Sequence, residues 1–420
     1  MQSSDSSMCV HCKGAKMLCG KERCPIMAKV YARQAVLPSI SKLEMDGSSP
    51  PGVFIGRFGW PKVHIGPLLP PFHGDTMQLD TPEMWQGKTI DDIMNMRFSL
   101  VRGKSLASVK DAGLIDTGNS VKNERLITAT RELALAENPS DVDVLFSKRP
   151  YGMSLGGDIQ PFGPSAPLLN MNSGNLRTER HVDKAYSDTD LKAKDAVLEL
   201  YDKGVMVSKI QKAFSVGAFG LGKRRVFVPT RWSITAVDDT IGKALRENTK
   251  TYPLINEFRV YEHEQLDNRW QILLMPREWC YELIEAWYPK TIWNPTGTKV
   301  EIMSSHEFYE GRKTYAEIGG CYYAARLAVN ELLNKERRQA GAVILREAHA
   351  GYIMPVGVWN VREAVRAALK NKPLAFKTLK EAFGHITKKF DIPLKTWIET
   401  SAVLKDELRQ RKLKDFIRAC

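Results

Sequence analysis

Four of the seven cysteines in this 420-residue chain lie close together near its start. They are Cys9, Cys12, Cys19 and Cys24, spaced C-x2-C-x6-C-x4-C. A tight turn between two such cysteines lets both sulfurs reach one Zn²⁺, and four thiolates leave no open position, which defines a structural site. The pattern therefore predicts a small zinc-binding module over residues 1–30, with one structural Zn²⁺ per chain. Thiols without metal and an Fe–S cluster are the alternatives.

The chain carries no targeting signal that we recognise. Met1–Cys9 lacks the basic patch and apolar run of a secretory signal, and no apolar stretch reaches the ~20 residues that a membrane-spanning helix needs. Clustered rather than scattered cysteines also favour a metal site in a reducing compartment over disulfides. We therefore expect a cytoplasmic protein without a membrane partner.

The rest of the chain mixes helical and strand patterns without a regular βαβ period. Apolar spacing predicts helices over Thr89–Phe98 and Asn123–Glu137, and a strand over Val142–Phe146. Tyr151–Asn175 is rich in Gly, Pro and Asn and is predicted to be a long loop. We expect an α+β central body with a mixed sheet over residues 31–400, a possible subdivision near 150–190, and a helical C-terminal region.

Further along, Val226–Pro229 is predicted to be a strand and the next helix to run from Asp238 to Arg246. Strands are expected near Asn256–Tyr261 and Arg269–Met275, and helices near Ala375–Phe383 and Ser401–Arg411.

The last residues, 401–420, form a basic helical tail that ends in the pattern Gln-x-x-Leu-x-x-Phe-hydrophobic. Its members are Gln410, Leu413, Phe416 and Ile417. One helical turn brings the three apolar side chains to one side as a plug, with the glutamine as a polar anchor. The pattern resembles the PCNA-interacting motif that docks on the replication sliding clamp, with Ile417 in place of the usual second aromatic. The alternative is the last turn of a helix packed on the chain's own body.

The formal net charge of +13 is concentrated toward the C-terminus. Residues 361–420 hold 15 Lys and Arg against 7 Asp and Glu. Such an excess suits a protein that works near DNA phosphates, and also an ordinary solvated helix face.

The two ends together resemble the archaeal Nre DNA-repair family, which combines an N-terminal four-cysteine zinc finger with a C-terminal clamp-binding motif. Three internal stretches share this resemblance: Phe54–Pro61, Val228–Asp239 and Gly319–Arg326. The resemblance covers essentially the whole chain. It implies a role in repairing DNA damage and supports the clamp as partner, but it supplies no reaction.

Several groups of polar residues in the central body are candidates for chemistry. The catalytic candidates are Arg231, Asp238, Asp239, Glu262 and His263, and the candidate nucleic-acid contacts are Arg57, Arg224 and Arg225. Arg346, Glu347 and His349 follow another predicted strand. Carboxylates and His near strand ends are what a metal-dependent nuclease needs, and also what caps and surface loops contain. Whether the protein is an enzyme is left open.

We therefore expect a DNA-repair factor, located in the cytoplasm at the nucleoid, that binds DNA and is recruited to the sliding clamp. A metal-dependent nuclease or other nucleic-acid-processing enzyme is the alternative, and an RNA-associated zinc protein is a further one.

Overall fold

The computed structural model describes residues 11–14, 16–21, 23–152, 162–174, 176–291, 293–295 and 297–409. The chain divides into two compact units, neither of them contiguous in sequence. The N-terminal unit holds Arg23–Ile241 and Met354–Gly357. The C-terminal unit holds Gly242–Ile353 and Val358–Cys420 with Met1–Glu22, in so far as these are described.

The N-terminal unit is built on one six-stranded sheet with strand order β1-β5-β6-β4-β3-β2. All neighbours are antiparallel except β4 and β6. The strands are β1 Glu44–Ser49, β2 Val53–Ile55, β3 Lys62–Leu69, β4 Val101–Ser108, β5 Ser140–Phe146 and β6 Ser165–Ser173. The helices of this unit are α1 Pro25–Ile40, α2 Ile90–Ser99, α3 Asp111–Asp116, α4 Glu124–Leu135, α5 Arg180–Ser187, α6 Ala193–Asp202, α7 Val207–Ser215 and the first part of α8 Thr230–Thr249.

The two faces of this sheet differ in burial, because successive side chains of a strand point to opposite faces. One face is apolar and packs on α4, with Val63, Ile65, Val142 and Val144 among its buried members. Much of the opposite face is exposed, because alternate residues of β3, β4 and β5 point away from that core.

The C-terminal unit has a second six-stranded sheet, with order β10-β9-β11-β8-β7-β12. Its strands are β7 Phe258–Gln265, β8 Asn268–Met275, β9 Tyr281–Trp287, β10 Glu301–Glu307, β11 Gly341–Ala348 and β12 Leu374–Phe376. The helices are α9 Gly320–Glu336, α10 Trp359–Lys370, α11 Leu379–Lys389, α12 Leu394–Thr400 and α13 Ala402–Arg409. Strands β9 and β11 are buried along their whole length because apolar clusters cover both faces of the sheet.

The predicted α+β class, the mixed sheets and the helical C-terminal region are confirmed. Three elements were wrongly predicted: Tyr151–Asn175 contains strand β6, Val226–Pro229 is not a strand, and Ala375–Phe383 divides between β12 and the start of α11. One chain crossing between the two compact units falls between Ile241 and Gly242, and the subdivision near 150–190 stays a prediction.

Candidate nucleic-acid interface

The sheet face opposite α4 carries basic side chains along two neighbouring strands of the N-terminal unit. Lys62 and His64 of β3 and Arg102 and Lys104 of β4 lie on this face, since His64 is paired with Leu106 and residues two apart share a face. We call these four residues the basic strip. None of them makes an ion pair with a carboxylate in the part of the chain that the structure describes.

Like charges influence one another along the basic strip. Burial, and then the neighbouring Arg97, lowers the pKa of Arg102 to about 10. Burial and the charge of Arg102 lower the pKa of Lys104, and burial and the charge of Lys104 lower the pKa of His64. Cations that repel one another without a compensating carboxylate gain from an approaching anion.

Negative charge occupies the other side of the same face. Glu44 and Asp46 of β1 and Asp141 and Asp143 of β5 point outward, with Asp46 directly opposite Asp143. His73 lies between two of these carboxylates: its Nδ1 is 2.9 Å from Asp141 and its Nε2 is 2.8 Å from Asp46. The hydrogen bonds to Asp141 and then Asp46 raise the pKa of His73.

The predicted contact Arg57 lies in the connection between β2 and β3, where it is exposed at one end of the basic strip. Arg231 is exposed in the first turn of α8. Arg224 is also exposed. Arg225 is buried, and it donates to the Asp116 carboxylate at 3.3 Å and to the carbonyl oxygens of Gly220, Tyr186 and Asp188 at 2.8–2.9 Å. Its donors are used within the protein, so Arg225 serves the fold.

The predicted carboxylates Asp238 and Asp239 do not lie at a helix start, because α8 begins at Thr230. Asp238 is fully buried and accepts a hydrogen bond of 2.8 Å from Gln211 Nε2. Arg231 and Asp238 are seven residues apart on α8, about 10 Å along its axis. The structure therefore does not assemble Arg231 and Asp238 into one centre.

Glu262 and His263 lie within β7 and not between two strands, so their side chains leave opposite faces of the sheet. Glu262 accepts hydrogen bonds of 3.2 Å from Gln271 and from His385 of α11. Burial opposes ionisation of Glu262, but these hydrogen bonds outweigh it and lower its pKa.

The described residues bring one set of potential metal ligands together: Glu347, His349 and Asp391. Two of these were noted in the sequence, but Asp391 was missed because it lies far along the chain. Each ligand already has a protein partner. Glu347 accepts from the Ile392 amide at 2.9 Å, and Asp391 is 3.1 Å from the Arg269 guanidinium. These hydrogen bonds and the ion pair hold Glu347 and Asp391 in place beside His349.

A cavity of about 270 Å³ in the N-terminal unit contains the nearly buried Lys209, whose pKa is lowered to about 7 by burial. Its ammonium donates to the carbonyl oxygens of Ala134, at 2.9 Å, and of Ala136. These carbonyls lie at the end of α4, where a cation is favoured. Lys209 therefore works as a helix cap.

The predicted zinc site and clamp motif lie at the two ends of the chain, and the described residues include only part of them. Cys9 and the clamp motif of Gln410, Leu413, Phe416 and Ile417 lie outside the described residues. Around the other cysteines, Gly14 and Gly20 have positive φ values of 73° and 66°, as the predicted turns require. The backbone N–H of Leu18, the largest influence, lowers the pKa of the Cys12 thiol. Zinc binding stays a prediction.

The fold and this charge-divided surface define a two-unit α+β protein with one largely open sheet. A family model for the N-terminal part of archaeal Nre matches residues 18–294, and one for the C-terminal part matches residues 307–416. The chain belongs to the archaeal Nre family. Among the described helices, none has the length and apolar character needed to cross a bilayer.

The similar curated proteins are named for DNA repair. DNA repair protein NreB of Archaeoglobus fulgidus is 40% identical over 97% of this chain and 100% of its own length. DNA repair protein NreA of the same organism is 34% identical over 90% of this chain and 92% of its own. DNA repair protein NreA of Haloferax volcanii is 33% identical over 83% of each chain.

Proposed function

We propose that this protein is a DNA-repair factor that binds DNA through the basic strip on the N-terminal sheet. The names of its relatives support the repair role. The observation that supports the binding site is a row of three cations without carboxylate partners on one sheet face, with Lys62 exposed and Arg102 and Lys104 half-buried. Phosphate contacts supply most of the affinity of such surfaces and make it depend on salt. This role fits a cytoplasmic protein at the nucleoid.

The test compares a Lys62→Gln/Lys104→Gln variant with wild type in binding to a labelled duplex, followed by fluorescence anisotropy across a salt series. If both lysines contact phosphates, the slope of log affinity against log salt decreases by about 1.8. The matched control is Lys372→Gln/Lys377→Gln, which removes the same charge at exposed positions of the C-terminal unit. Equal losses in both variants would mean that net charge, and not the basic strip, governs binding. Competition with RNA of the same length separates a DNA-binding from an RNA-binding protein.

We propose further that Gln410, Leu413, Phe416 and Ile417 tether the protein to the sliding clamp PCNA. A tether acts by raising the effective concentration at the DNA, so a modest affinity suffices. Purified clamp is titrated against wild type, Leu413→Ala/Phe416→Ala and the control Lys412→Gln, which changes a position between the anchors. Unchanged affinity of the double variant would remove the clamp from the proposal.

The zinc proposal rests on the spacing of Cys9, Cys12, Cys19 and Cys24 and on the turns found between the described cysteines. Elemental analysis of native protein is expected to find one zinc per chain, reduced in a Cys12→Ser/Cys19→Ser variant. Metal-free native protein would refute it.

A further inference from the structure

Residues 56–61, between β2 and β3, form an exposed loop at one end of the basic strip. Every residue from Arg57 to Lys62 is exposed, and Phe58 and Trp60 are 81% and 56% exposed. The loop is held in one shape: Gly56 N–H donates to His64 at 2.7 Å, and Lys62 N–H to Gly59 at 2.9 Å. Gly59 has φ +82°, and a Cβ there would lie 2.8 Å from the Lys62 carbonyl oxygen, so the turn requires glycine.

A third exposed aromatic ring comes from the start of α8. The Ile55 amide donates to Thr230 Oγ1 at 2.8 Å, which ties the end of β2 to the first residue of that helix. As a result Trp232, 47% exposed, lies beside Trp60 with ring centroids 6.5 Å apart and ring planes inclined by 49°. We call Arg57–Pro61 with Arg231 and Trp232 the aromatic tip.

The aromatic tip is positively charged. The Arg57 guanidinium lies 5.1 Å from the centre of the Phe58 ring. Within the described residues, neither Arg57 nor Arg231 forms an ion pair with a carboxylate. Exposed aromatic rings cost free energy in water. An acidic partner surface would pair only with the arginines, and a purely apolar one would contact only the rings. Single-stranded nucleic acid uses both, because bases stack on rings and phosphates pair with arginines.

We propose that the aromatic tip stacks unpaired DNA bases, so that the protein prefers single-stranded or locally opened DNA to an intact duplex. This proposal rests on the proposed function and names its substrate class. In a paired duplex the base faces are covered by their neighbours, whereas an opened region presents them. The basic strip then holds the phosphates on the paired side, and the aromatic tip takes the bases that lie beyond it.

The experiment measures the affinity of the full chain for a 20-nucleotide single strand, a 20-base-pair duplex and the same duplex with a central four-nucleotide bubble, at one salt concentration. For Phe58→Ala/Trp60→Ala we expect the affinity for the single strand and the bubble to fall about tenfold or more, since stacking contributes roughly 1–3 kcal/mol per base. Duplex affinity should change by less than about twofold to threefold, within the range of an ordinary surface substitution.

The matched control is Trp293→Ala, which removes a 45%-exposed tryptophan from the C-terminal unit and should leave all three affinities unchanged. A Phe58→Tyr/Trp60→Phe variant keeps both rings and should keep the preference, which guards against a loss that reflects misfolding. Trp60 fluorescence, taken as the difference between wild type and Trp60→Phe, should be quenched by the single strand and not by the duplex.

Two results would overturn the inference while leaving the proposed function intact. One is unchanged single-strand affinity in Phe58→Ala/Trp60→Ala while Lys62→Gln/Lys104→Gln still weakens duplex binding. The other is an equal loss on all three DNAs in this variant, which would mean that the two rings do not distinguish unpaired from paired bases. Absence of binding by wild type to any of the DNAs would instead refute the proposed function itself.

Discussion

At the scale of single residues, the buried Arg346 of the C-terminal unit has both a carboxylate and an amide as hydrogen-bond partners. Arg346 is 2% exposed on β11, and its guanidinium donates to Glu285 at 2.6 Å and twice to Asn268 Oδ1 at 2.7–2.9 Å. The same guanidinium lies 4.6 Å from the centre of the Trp287 ring and 4.9 Å from that of Trp270. A buried charge of this kind is tolerated only while its partners remain.

Replacing Arg346 with Leu is expected to lower the free energy of unfolding by about 3–5 kcal/mol, because Glu285 is left as an uncompensated buried charge. Urea denaturation measures the loss. The double variant Arg346→Leu/Glu285→Leu should recover a large part of it. A double variant no more stable than the single one would show that the pair itself is not the source.

His73 makes the stability of the N-terminal unit depend on pH. Its pKa is raised by Asp141 and Asp46, so the native state binds the proton more tightly than the unfolded chain. The added stability is fully present below the unfolded-state pKa of about 6.5 and is lost as the pH rises through the higher folded-state pKa. Wild type should therefore exceed His73→Asn in stability by more at pH 5.5 than at pH 8.5. A difference that is equal at both pH values would contradict this reading.

At the scale of elements, a buried carboxylate of β9 fixes the start of the last described helix. Glu282 is fully buried and accepts from the amides of Ala402 and Val403 at 3.0 Å and from the Ser401 hydroxyl. These are free N–H groups of the first turn of α13, so a strand residue acts as the helix cap. The sequence pattern that predicts a helix near Ser401–Arg411 cannot show the contact with Glu282, because Glu282 and the helix are more than a hundred residues apart.

Glu282→Ala is expected to cost about 2 kcal/mol of stability, since it removes a cap and leaves buried donors unpaired. Hydrogen exchange should show faster exchange at the amides of Ala402 and Val403 before any global change. Glu301→Ala, an exposed glutamate on the neighbouring strand β10, is the control and should change little. Equal protection in Glu282→Ala and Glu301→Ala would disprove the capping role.

Local patterns predicted some elements well and others poorly, for physical reasons. The helix expected over Thr89–Phe98 is found as α2, because Thr89 and Asp92 form a capping box that is local in sequence. Strand β6 was missed because its pairing with β4 and β5 outweighs a sequence with weak strand propensity. The predicted start of α8 at Asp238 is too late, because the helix begins at Thr230, directly after Pro229. The basic strip needs the pairing of β3 with β4, which no local pattern contains.

At the scale of the whole molecule, the division between the two family matches does not follow the structural units. The N-terminal match ends at residue 294 and the C-terminal match begins at residue 307, within the second sheet. Strand β11 lies on one side of that division, while both of its neighbours, β8 and β9, lie on the other. The sheet can therefore form only from both parts of the chain.

A fragment of residues 307–416 is expected not to fold, because β11 would keep neither neighbour and both apolar clusters of the unit would be halved. Circular dichroism with thermal denaturation tests this. The full chain should show a cooperative transition and the fragment none. A cooperative transition in the fragment would mean that the second sheet is not the folding core of this unit.

The divided charge of the N-terminal sheet also gives a bound polyanion a direction. Adjacent strands are about 4.8 Å apart, so the carboxylates of β5 lie about 14 Å from the cations of β3, or roughly one and a half to two screening lengths at physiological ionic strength. In a nucleic-acid strand that ran across the sheet, some phosphates would be attracted by the cations of β3 and β4. Phosphates a few positions further along would be repelled by the carboxylates of β5 and β1. One that follows β3 and β4 passes Lys62, Arg102 and Lys104, meets no carboxylate on those two strands, and reaches the loop between β2 and β3. The charges therefore favour a polyanion bound parallel to β3 and β4, and Asp46, Asp141 and Asp143 disfavour its extension over β5 and β1.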